Sequence, residues 1–238
     1  MLFSTMKAAV LQSNYIPWKG YFDIIHDVDL FVFYDEVQYT KNDWRNRNRI
    51  RTEQGLKWLT IPCGYDIKRK ICDVKIKNEL PWQTDHYNQI VSAYQKAPFF
   101  SKYRDLLESV YLDHTWEYLY RLNRYLIETI SKEYLGIDTV FRDSLEFVSQ
   151  GAKDEKLLSL LQNIGCDIYV SGPAAKNYMN IQMYRDNGIN VIWKDYSGYP
   201  QYNQGYGFGA FEHGVSILDL LFYTGEDAPY YIWGWRAE

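Results

Sequence analysis

The sequence has little of the chemistry that marks a metal site or a disulfide framework. Its three cysteines (Cys63, Cys72 and Cys166) are too few and too widely spaced for either. Their odd number is typical of reduced thiols in a cytosol. The four histidines are scattered without the spacing of metal ligands, so no metal site is predicted.

The sequence also lacks the marks of export and of membrane insertion. Residues 1–7 have neither the charged start nor the apolar run of a signal peptide. No apolar stretch approaches the roughly 20 residues that a membrane-spanning helix needs. We therefore expect a soluble, cytoplasmic protein with no integral membrane segment. The net charge of −4 gives no reason to expect a nucleic acid as partner.

Aromatic residues are abundant, at 18% of the chain, with 23 Tyr and 8 Trp. Tyrosine and tryptophan combine an apolar face with a hydrogen-bonding tip, which suits the binding of sugars and nucleobases. The same side chains serve equally well as filler of a core, and composition alone does not separate the two uses.

Alternating apolar runs and amphipathic segments predict an α/β fold with a mostly parallel sheet flanked by helices. A strand at 7–12, a helix at 20–27 and a strand at 30–34 form a compact βαβ unit. We expect a single α/β domain over residues 1–238, with a helical insertion or cap over approximately 80–136. The other predicted strands are 58–62, 72–77, 139–141, 167–171 and 189–193, and the other predicted helices outside the insertion are 152–164, 178–187 and 215–223.

The segment between the first strand and the first helix is the first candidate binding site. A strand-to-helix junction of this kind exposes free N–H groups that suit an anion. Neither the GxxxxGK[ST] nor the GxGxxG pattern is present. The alternative is an ordinary turn plugged by Tyr15 and Trp18. The predicted ligand-binding side chains are Gln12, Asn14, Tyr15 and Lys19.

A basic run is the second candidate. Residues 41–51 contain five basic residues and one acidic residue, inside a chain that is net negative. Arginines at every second position project to one side of an extended segment, where they would form a comb for a diphosphate. The alternatives are a solvated charged edge strand and a nucleic-acid contact. The residues singled out here are Asp35, Gln38, Lys41, Arg45, Asn46, Arg47, Asn48, Arg49 and Arg51.

Two further segments complete the candidate site. Ser171 and Gly172 end a buried strand on the same rim as Gln12 and Asp35, with Lys176 and Tyr178 following, although a plain strand–helix turn explains them too. The loop 196–211 offers a wall that could close over this rim. The remaining candidates are Gln204 as a binding residue and His213, His86 and Asp35 as general bases, a histidine more often being structural.

Several blocks in order resemble the WbqC-like protein family. They are Gln12-x-x-Tyr15-x-Pro17-Trp18-x-Gly20-Tyr21-Phe22-Asp23, Tyr34-Asp35-x-Val37-Gln38-Tyr39, Trp44-Arg45-Asn46-Arg47-Asn48-Arg49, Trp58-Leu59-Thr60 with Pro62, Ser171-Gly172-Pro173, and Ser216-Ile217-Leu218-Asp219 with Gly225. The resemblance implies a bacterial protein from gene clusters for O-antigen or a similar surface polysaccharide. It supplies no catalytic residue, only blocks expected to line a shared site.

A weaker likeness links the opening βαβ unit to pantothenate-synthetase-type ligases of the nucleotidyl-transfer fold. This likeness implies an acyl adenylate made from ATP with magnesium, with Gln38 facing the acyl substrate and Ser171 near ATP. The His-x-Gly-His signature of those enzymes is missing, and residues 17–21 (PWKGY) stand in its place. This departure argues against the use of ATP.

Together these patterns favour a transferase that modifies a nucleotide-linked amino sugar by acyl or aminoacyl transfer. Transfer to a positioned amine needs little beyond orientation and a weak base, so an inconspicuous set of catalytic residues is compatible with it. The alternatives are an ATP-dependent adenylating amide ligase and a non-catalytic protein that binds sugar nucleotides. The sequence leaves the cofactor and the oligomeric state open.

Overall fold

A computed structural model describes residues 5–206 and 209–237 of the chain. Its centre is a five-stranded, wholly parallel sheet in the order β5-β2-β1-β6-β7, and a separate antiparallel hairpin pairs β3 with β4. The strands are β1 Lys7–Leu11, β2 Leu30–Phe33, β3 Arg47–Thr52, β4 Gly55–Thr60, β5 Val140–Asp143, β6 Ile168–Ser171 and β7 Asn190–Trp193.

Helices cover both faces of this sheet. Two of them, α3 and α4, continue into single π-helical turns over residues 109–113 and 130–134. The α-helices of the described residues are α1 Lys19–His26, α2 Trp82–Tyr94, α3 Arg104–Glu108, α4 Leu119–Thr129, α5 Asp154–Asn163, α6 Ile181–Asp186 and α7 Ile217–Thr224.

The central strands are apolar throughout because both of their faces are buried, as expected for a parallel sheet. Alternate side chains enter two different cores. Ala9, Phe31 and Phe33 pack in the larger core with α1, α7 and the helices α2–α4. Ala8, Val10, Leu30 and Val32 pack on the opposite face with α5 and α6. The helical block therefore shares the core of the sheet on one face and is not set apart from it.

The order of strands reverses at β1. From β1 the chain passes through α1 to β2 on one side, whereas β6 pairs with β1 on the other side. Such a topological switch point opens a crevice at the carboxyl ends of the two central strands, where ligands of open α/β sheets bind.

The α/β prediction is confirmed, including the helical block between β4 and β5, but two local predictions were wrong. The predicted strand at 72–77 is a 3₁₀ turn (Ile71–Asp73), followed by a single β-bridge between Lys75 and Tyr118. Residues 36 to about 48 are predicted from their polar composition to form a long loop, but from Arg47 onward the chain forms β3 and pairs with β4. Residues 207 and 208 of the predicted loop 196–211, and residues 1–4 of the predicted amino-terminal segment, lie outside the described residues.

Candidate functional site

The switch point carries a cleft of about 980 Å³. Its floor is formed by the ends of β1 and β6, and its walls by the start of α5 and by the turn after β6. This volume lies within the range of about 300–1,000 Å³ that is typical of ligand pockets. The polar and aromatic lining comprises Gln12, Tyr34, Gln38, Lys153, Asp154, Glu155, Lys156, Tyr169, Ser171, Gly172 and Tyr178.

Arg45 connects this cleft to a second depression. Its guanidinium donates to Asn14 Oδ1 at 3.1 Å and to Gln12 Oε1 at 3.3 Å, and it lies 3.7 Å from the carboxylate of Asp43. Gln12 lines the switch-point cleft, whereas Asn14 lines the other depression of about 340 Å³ beside Trp18 and Trp44. The three side chains therefore form a polar ridge between two concave surfaces.

Buried polar side chains hold the loop after β1 in place. Asn48 Nδ2 donates to the carbonyl oxygens of Tyr15 at 3.1 Å and Ile16 at 2.8 Å, and Asn123 Nδ2 donates to that of Ser13 at 3.3 Å. Ile16 has a φ of 36°, a left-handed conformation that is strained for a β-branched residue. These hydrogen bonds fix the strained turn from which Gln12 and Asn14 project.

Asp35 belongs to this support and does not face the cleft as a free base. The side chain is fully buried, accepts from the Ser13 N–H at 2.8 Å and forms a 2.8 Å ion pair with Arg124, which also contacts Asp143. Burial raises the pKa of Asp35, while Arg124 and the Ser13 N–H act against that rise. The carboxylate ties the ends of β1 and β2 to α4.

Tyr15 and His86 also lie in the core, contrary to their predicted places at a ligand. The Tyr15 hydroxyl contacts His86 Nδ1 at 2.8 Å and the Tyr111 hydroxyl at 2.5 Å, and all three side chains are buried. Burial lowers the pKa of His86 to about 4. The imidazole is neutral at pH 7, and it lines neither of the two concave surfaces.

Lys19 is likewise enclosed, because α1 begins beneath the loop 196–211. Its ammonium lies 4.8 Å from the ring centroid of Tyr199, 5.8 Å from that of Tyr202 and 5.5 Å from that of Phe211. Burial lowers the pKa of Lys19 to about 8, against the attraction of nearby carboxylates. His213 packs against Tyr199 and Phe211, and both burial and Lys19 lower its pKa. This cluster is separate from the residues that line the switch-point cleft.

The predicted arginine comb is realised only in part. Arg47 and Arg49 lie on one face of β3 and lean over the Trp58 ring, with guanidinium-to-centroid distances of 4.2 Å and 5.6 Å. Arg51 is buried and donates to Gln204 Oε1 at 2.9 Å, so it does not belong to an exposed comb. Gln204 in turn donates to the buried carboxylate of Asp219 at 2.9 Å.

The remaining predicted binding residues fall into two groups. Ser171, Gly172, Gln38 and Tyr178 line the switch-point cleft together with Gln12. The others lie elsewhere: Asn46 is buried and donates to the Ile61 carbonyl, Lys41 lies over the Tyr65 ring, and Lys176 lies near the Trp193 ring.

Sequence reasoning missed the wall that α5 contributes. Gly151, with a φ of 86°, precedes Lys153, whose φ of 51° is unusual for a residue with a side chain. Asp154 and Glu155 follow in the first turn of α5, and Lys156 pairs with Glu36 at 2.6 Å. A glycine followed by two acidic residues does signal a helix start, but nothing in it indicates that this turn borders β1.

Within the described ranges, no group of three or more His, Cys, Asp and Glu side chains is arranged to hold a metal ion. A search of the same ranges found no helix with both the length and the apolar character needed to cross a membrane.

Fold and site together describe an α/β protein with a parallel sheet and a cleft at the switch point of that sheet. The sequence profile of the WbqC-like protein family matches residues 12–231, and the chain belongs to that family. The uncharacterized protein Rv1507c of Mycobacterium tuberculosis is 43% identical over 228 residues, covering 95% of this chain and 97% of that protein. No solved structure matches the chain significantly.

Proposed function

We propose that this protein binds a nucleotide-linked sugar in the switch-point cleft and transfers an acyl or aminoacyl group to an amine of that sugar. The observation that carries the proposal is the position of the cleft between the ends of β1 and β6, where open α/β sheets bind nucleotides. A role in surface-polysaccharide synthesis, which the family resemblance implies, and a cytoplasmic location are part of the same proposal.

The diphosphate of such a ligand fits Arg45 best. The guanidinium is held by two neutral oxygen acceptors, those of Gln12 and Asn14, while its Nε is buried and has no described partner. Its nearest carboxylate, on Asp43, is 3.7 Å away, beyond normal hydrogen-bond length. A phosphate oxygen could therefore gain a charge-assisted contact without displacing a strong ion pair.

The aromatic and polar lining of the cleft suits the nucleoside or the sugar. Tyr34 and Tyr178 offer rings and hydroxyls, and the amides of Gln12 and Gln38 offer donors and acceptors. During transfer, the sugar amine would form the new amide bond as the activated acyl carrier leaves, and the proton of the amine would pass to a base. Asp154 and Glu155 bring carboxylates to the wall of the same cleft.

A second candidate function is sugar-nucleotide binding without catalysis. The positions of Asp35, His86 and His213 favour it, because none of these three candidate bases lines the cleft. Turnover separates the two functions, since a binding protein retains affinity for the ligand but converts no mixture of ligand and acyl donor.

The test is a thermal-shift screen with UDP-, dTDP- and GDP-linked sugars and amino sugars, and with ATP plus magnesium. A ligand at 100 times its Kd adds about 2.7 kcal/mol to the free energy of unfolding and raises the Tm. We expect one nucleotide sugar to raise the Tm. We expect Arg45→Met to raise the Kd for that sugar about tenfold. The matched control is Arg185→Met, the same change at an exposed arginine of α6.

Three results would count against this proposal. A shift with ATP alone would favour the adenylating ligase. The absence of any shift would remove the nucleotide site. Equal affinity of Arg45→Met and the parent would show that Arg45 does not contact the diphosphate.

A further inference from the structure

The outer face of the β3–β4 hairpin carries an unusual pairing of tryptophan and arginine. Arg49 lies directly opposite Trp58 in the hairpin register, and Trp44 precedes β3 on the same side. We call Trp44, Trp58, Arg47 and Arg49 the tryptophan shelf. Trp44 and Trp58 are each 41% exposed, although large aromatic side chains normally bury most of their surface.

The shelf is a fixed surface. Its two indole rings lie 5.6 Å apart between centroids, at an interplanar angle of 39°. The opposite face of the hairpin buries Ile50 and Leu59 in the larger core, and Asn48 anchors it to the loop after β1. A rigid hairpin therefore presents the rings, and little conformational entropy would be lost when a ligand packs on them.

Arg47 supplies the polar half of the shelf. Among residues 5–206 and 209–237, its side chain donates no hydrogen bond and forms no ion pair within 4 Å, and its Nε has no partner. Its guanidinium instead lies 4.2 Å from the Trp58 ring centroid. Arg49 is better satisfied, since it donates to the Gly214 carbonyl at 3.1 Å and lies 3.7 Å from Glu212. Arg47 is thus a preorganised cation that lacks an anionic partner.

A concave surface adjoins the shelf. The depression of about 340 Å³ is lined by Trp18, Trp44 and Arg49, with Asn14 at the end that faces Arg45. Aromatic faces pack against the apolar face of a sugar ring, and arginine forms two parallel hydrogen bonds with a carboxylate or phosphate. An aromatic ring beside an unpaired guanidinium therefore suits an acidic saccharide, whose sugar ring would pack on the indole and whose anionic group would bind the guanidinium.

We propose that the tryptophan shelf binds an anionic saccharide, with a sugar ring on Trp44 and Trp58 and the anionic group on Arg47. The anion is a carboxylate or a phosphate, since both have the same hydrogen-bonding chemistry. The shelf lies across the polar ridge from the switch-point cleft. The proposal does not depend on the nucleotide ligand, because it concerns a second surface with its own lining.

The test measures tryptophan fluorescence and calorimetric binding of the full chain to four saccharide probes that carry no nucleotide, and to one RNA. The probes are tetragalacturonic acid, its neutral methyl ester, mannose 6-phosphate, mannose and a ten-nucleotide poly-U RNA. We expect either tetragalacturonic acid or mannose 6-phosphate to bind. The neutral counterpart of that probe should bind at least about tenfold more weakly. Comparison of the galacturonate and mannose phosphate arms tells the two anions apart.

Two substitutions then assign the surface. Arg47→Gln should weaken binding of the acidic probe about tenfold and leave binding of the neutral probe unchanged. Trp58→Ala should weaken binding of both probes. Lys57→Gln is the matched control, since it removes one positive charge from the other face of the same hairpin. Circular dichroism and the Tm of each variant show that the hairpin remains folded.

Several outcomes would overturn the proposal. They are no binding of any acidic probe by the parent, equal binding of acidic and neutral probes, an unchanged Kd in Arg47→Gln, and binding of RNA alone. Because the saccharide probes carry no nucleotide, their failure to bind leaves the thermal-shift result in the cleft untouched, and the reverse also holds.

Discussion

At the residue scale, Asp35 and Asp219 are fully buried carboxylates held by donors from distant parts of the chain. Asp35 has Ser13 and Arg124, whereas Asp219 accepts from Gln204 at 2.9 Å and from two tyrosine hydroxyls. Burial raises the pKa of both groups, and their donors act against that rise. A buried charge is tolerated only with such partners, and loss of one partner is costly.

The ion pair of Asp35 with Arg124 gives a stability prediction. Arg124→Gln should lower the free energy of unfolding by about 3–5 kcal/mol, because it leaves a buried carboxylate without its cation. Urea denaturation measures the change. The double variant Asp35→Asn/Arg124→Gln should recover part of the loss. If the single variant is as stable as Arg185→Gln, the carboxylate does not need its partner.

His86 gives a prediction of pH dependence. Its pKa is about 4 in the folded protein, below its ordinary value of about 6.5. The unfolded chain therefore takes up a proton first as the pH falls. The stability contributed by neutral His86 is fully present above pH 6.5 and is lost as the pH falls from 6.5 to 4. Below pH 4 the total loss in the free energy of unfolding is about 3 kcal/mol.

NMR of the imidazole resonances measures this directly in the folded protein. We expect the His86 signals to stay at their neutral positions from pH 8 down to pH 5. A midpoint at pH 6 or above would contradict the enclosed Tyr15–His86–Tyr111 cluster.

At the scale of elements, both faces of the β3–β4 hairpin contribute to the two proposed binding surfaces. Its inner face holds the loop after β1 through Asn48, and its outer face presents Arg47 and Trp58. Alternation within β3 explains why Asn48 is buried while Arg47 and Arg49 lie on the outer face; Asn46 is buried in the turn that precedes the strand. The asparagines were predicted as ligand contacts, but their buried amides support the backbone.

The hairpin therefore predicts a coupling between Asn48 and the loop 12–17. Asn48→Leu keeps a similar volume but removes two buried hydrogen bonds from the strained turn at Ile16. We expect a loss of about 2–3 kcal/mol in stability, since two carbonyls lose their donor. Hydrogen exchange of residues 12–17 should become faster.

The control for this coupling is Asn88→Leu, at an exposed position of α2. It should leave exchange in the loop as it is in the parent. Equally slow exchange in Asn48→Leu would show that Asn48 does not hold the turn.

At the scale of the whole molecule, the sequence predicts the sheet well and the site less well. The apolar runs of β1 and β2 can be recognised as strands from the sequence. Together with α1 they predict a parallel sheet, in which ligands bind at the carboxyl ends of the strands. Strand β3 was predicted only in part, because its residues RNRIRT are mostly polar. The alternating arginines indicated an extended segment, but not its pairing with β4 across the turn at residues 53 and 54.

Burial explains the other differences. Tyr15, Lys19 and His86 look like ligand residues in the sequence, yet the fold buries all three. Tyr15 and His86 pack together in the larger core, and aromatic rings after β7 cover Lys19. Gln12, Ser171 and Gly172 were placed correctly on one rim because strand ends of a parallel sheet share an edge. The wall from α5 could not be predicted, since sequence order says nothing about which strand end a later helix approaches.

The most direct test of the switch-point site is hydrogen exchange of the full chain with and without the nucleotide sugar selected by thermal shift. We predict slower exchange in residues 10–12, 34–38, 152–157 and 169–179, which line the cleft from four separate segments. Protection confined to residues 52–57 and 88–96, which line a different groove beside α2, would contradict a nucleotide site at the ends of β1 and β6. Exchange unchanged throughout the chain would contradict it as well.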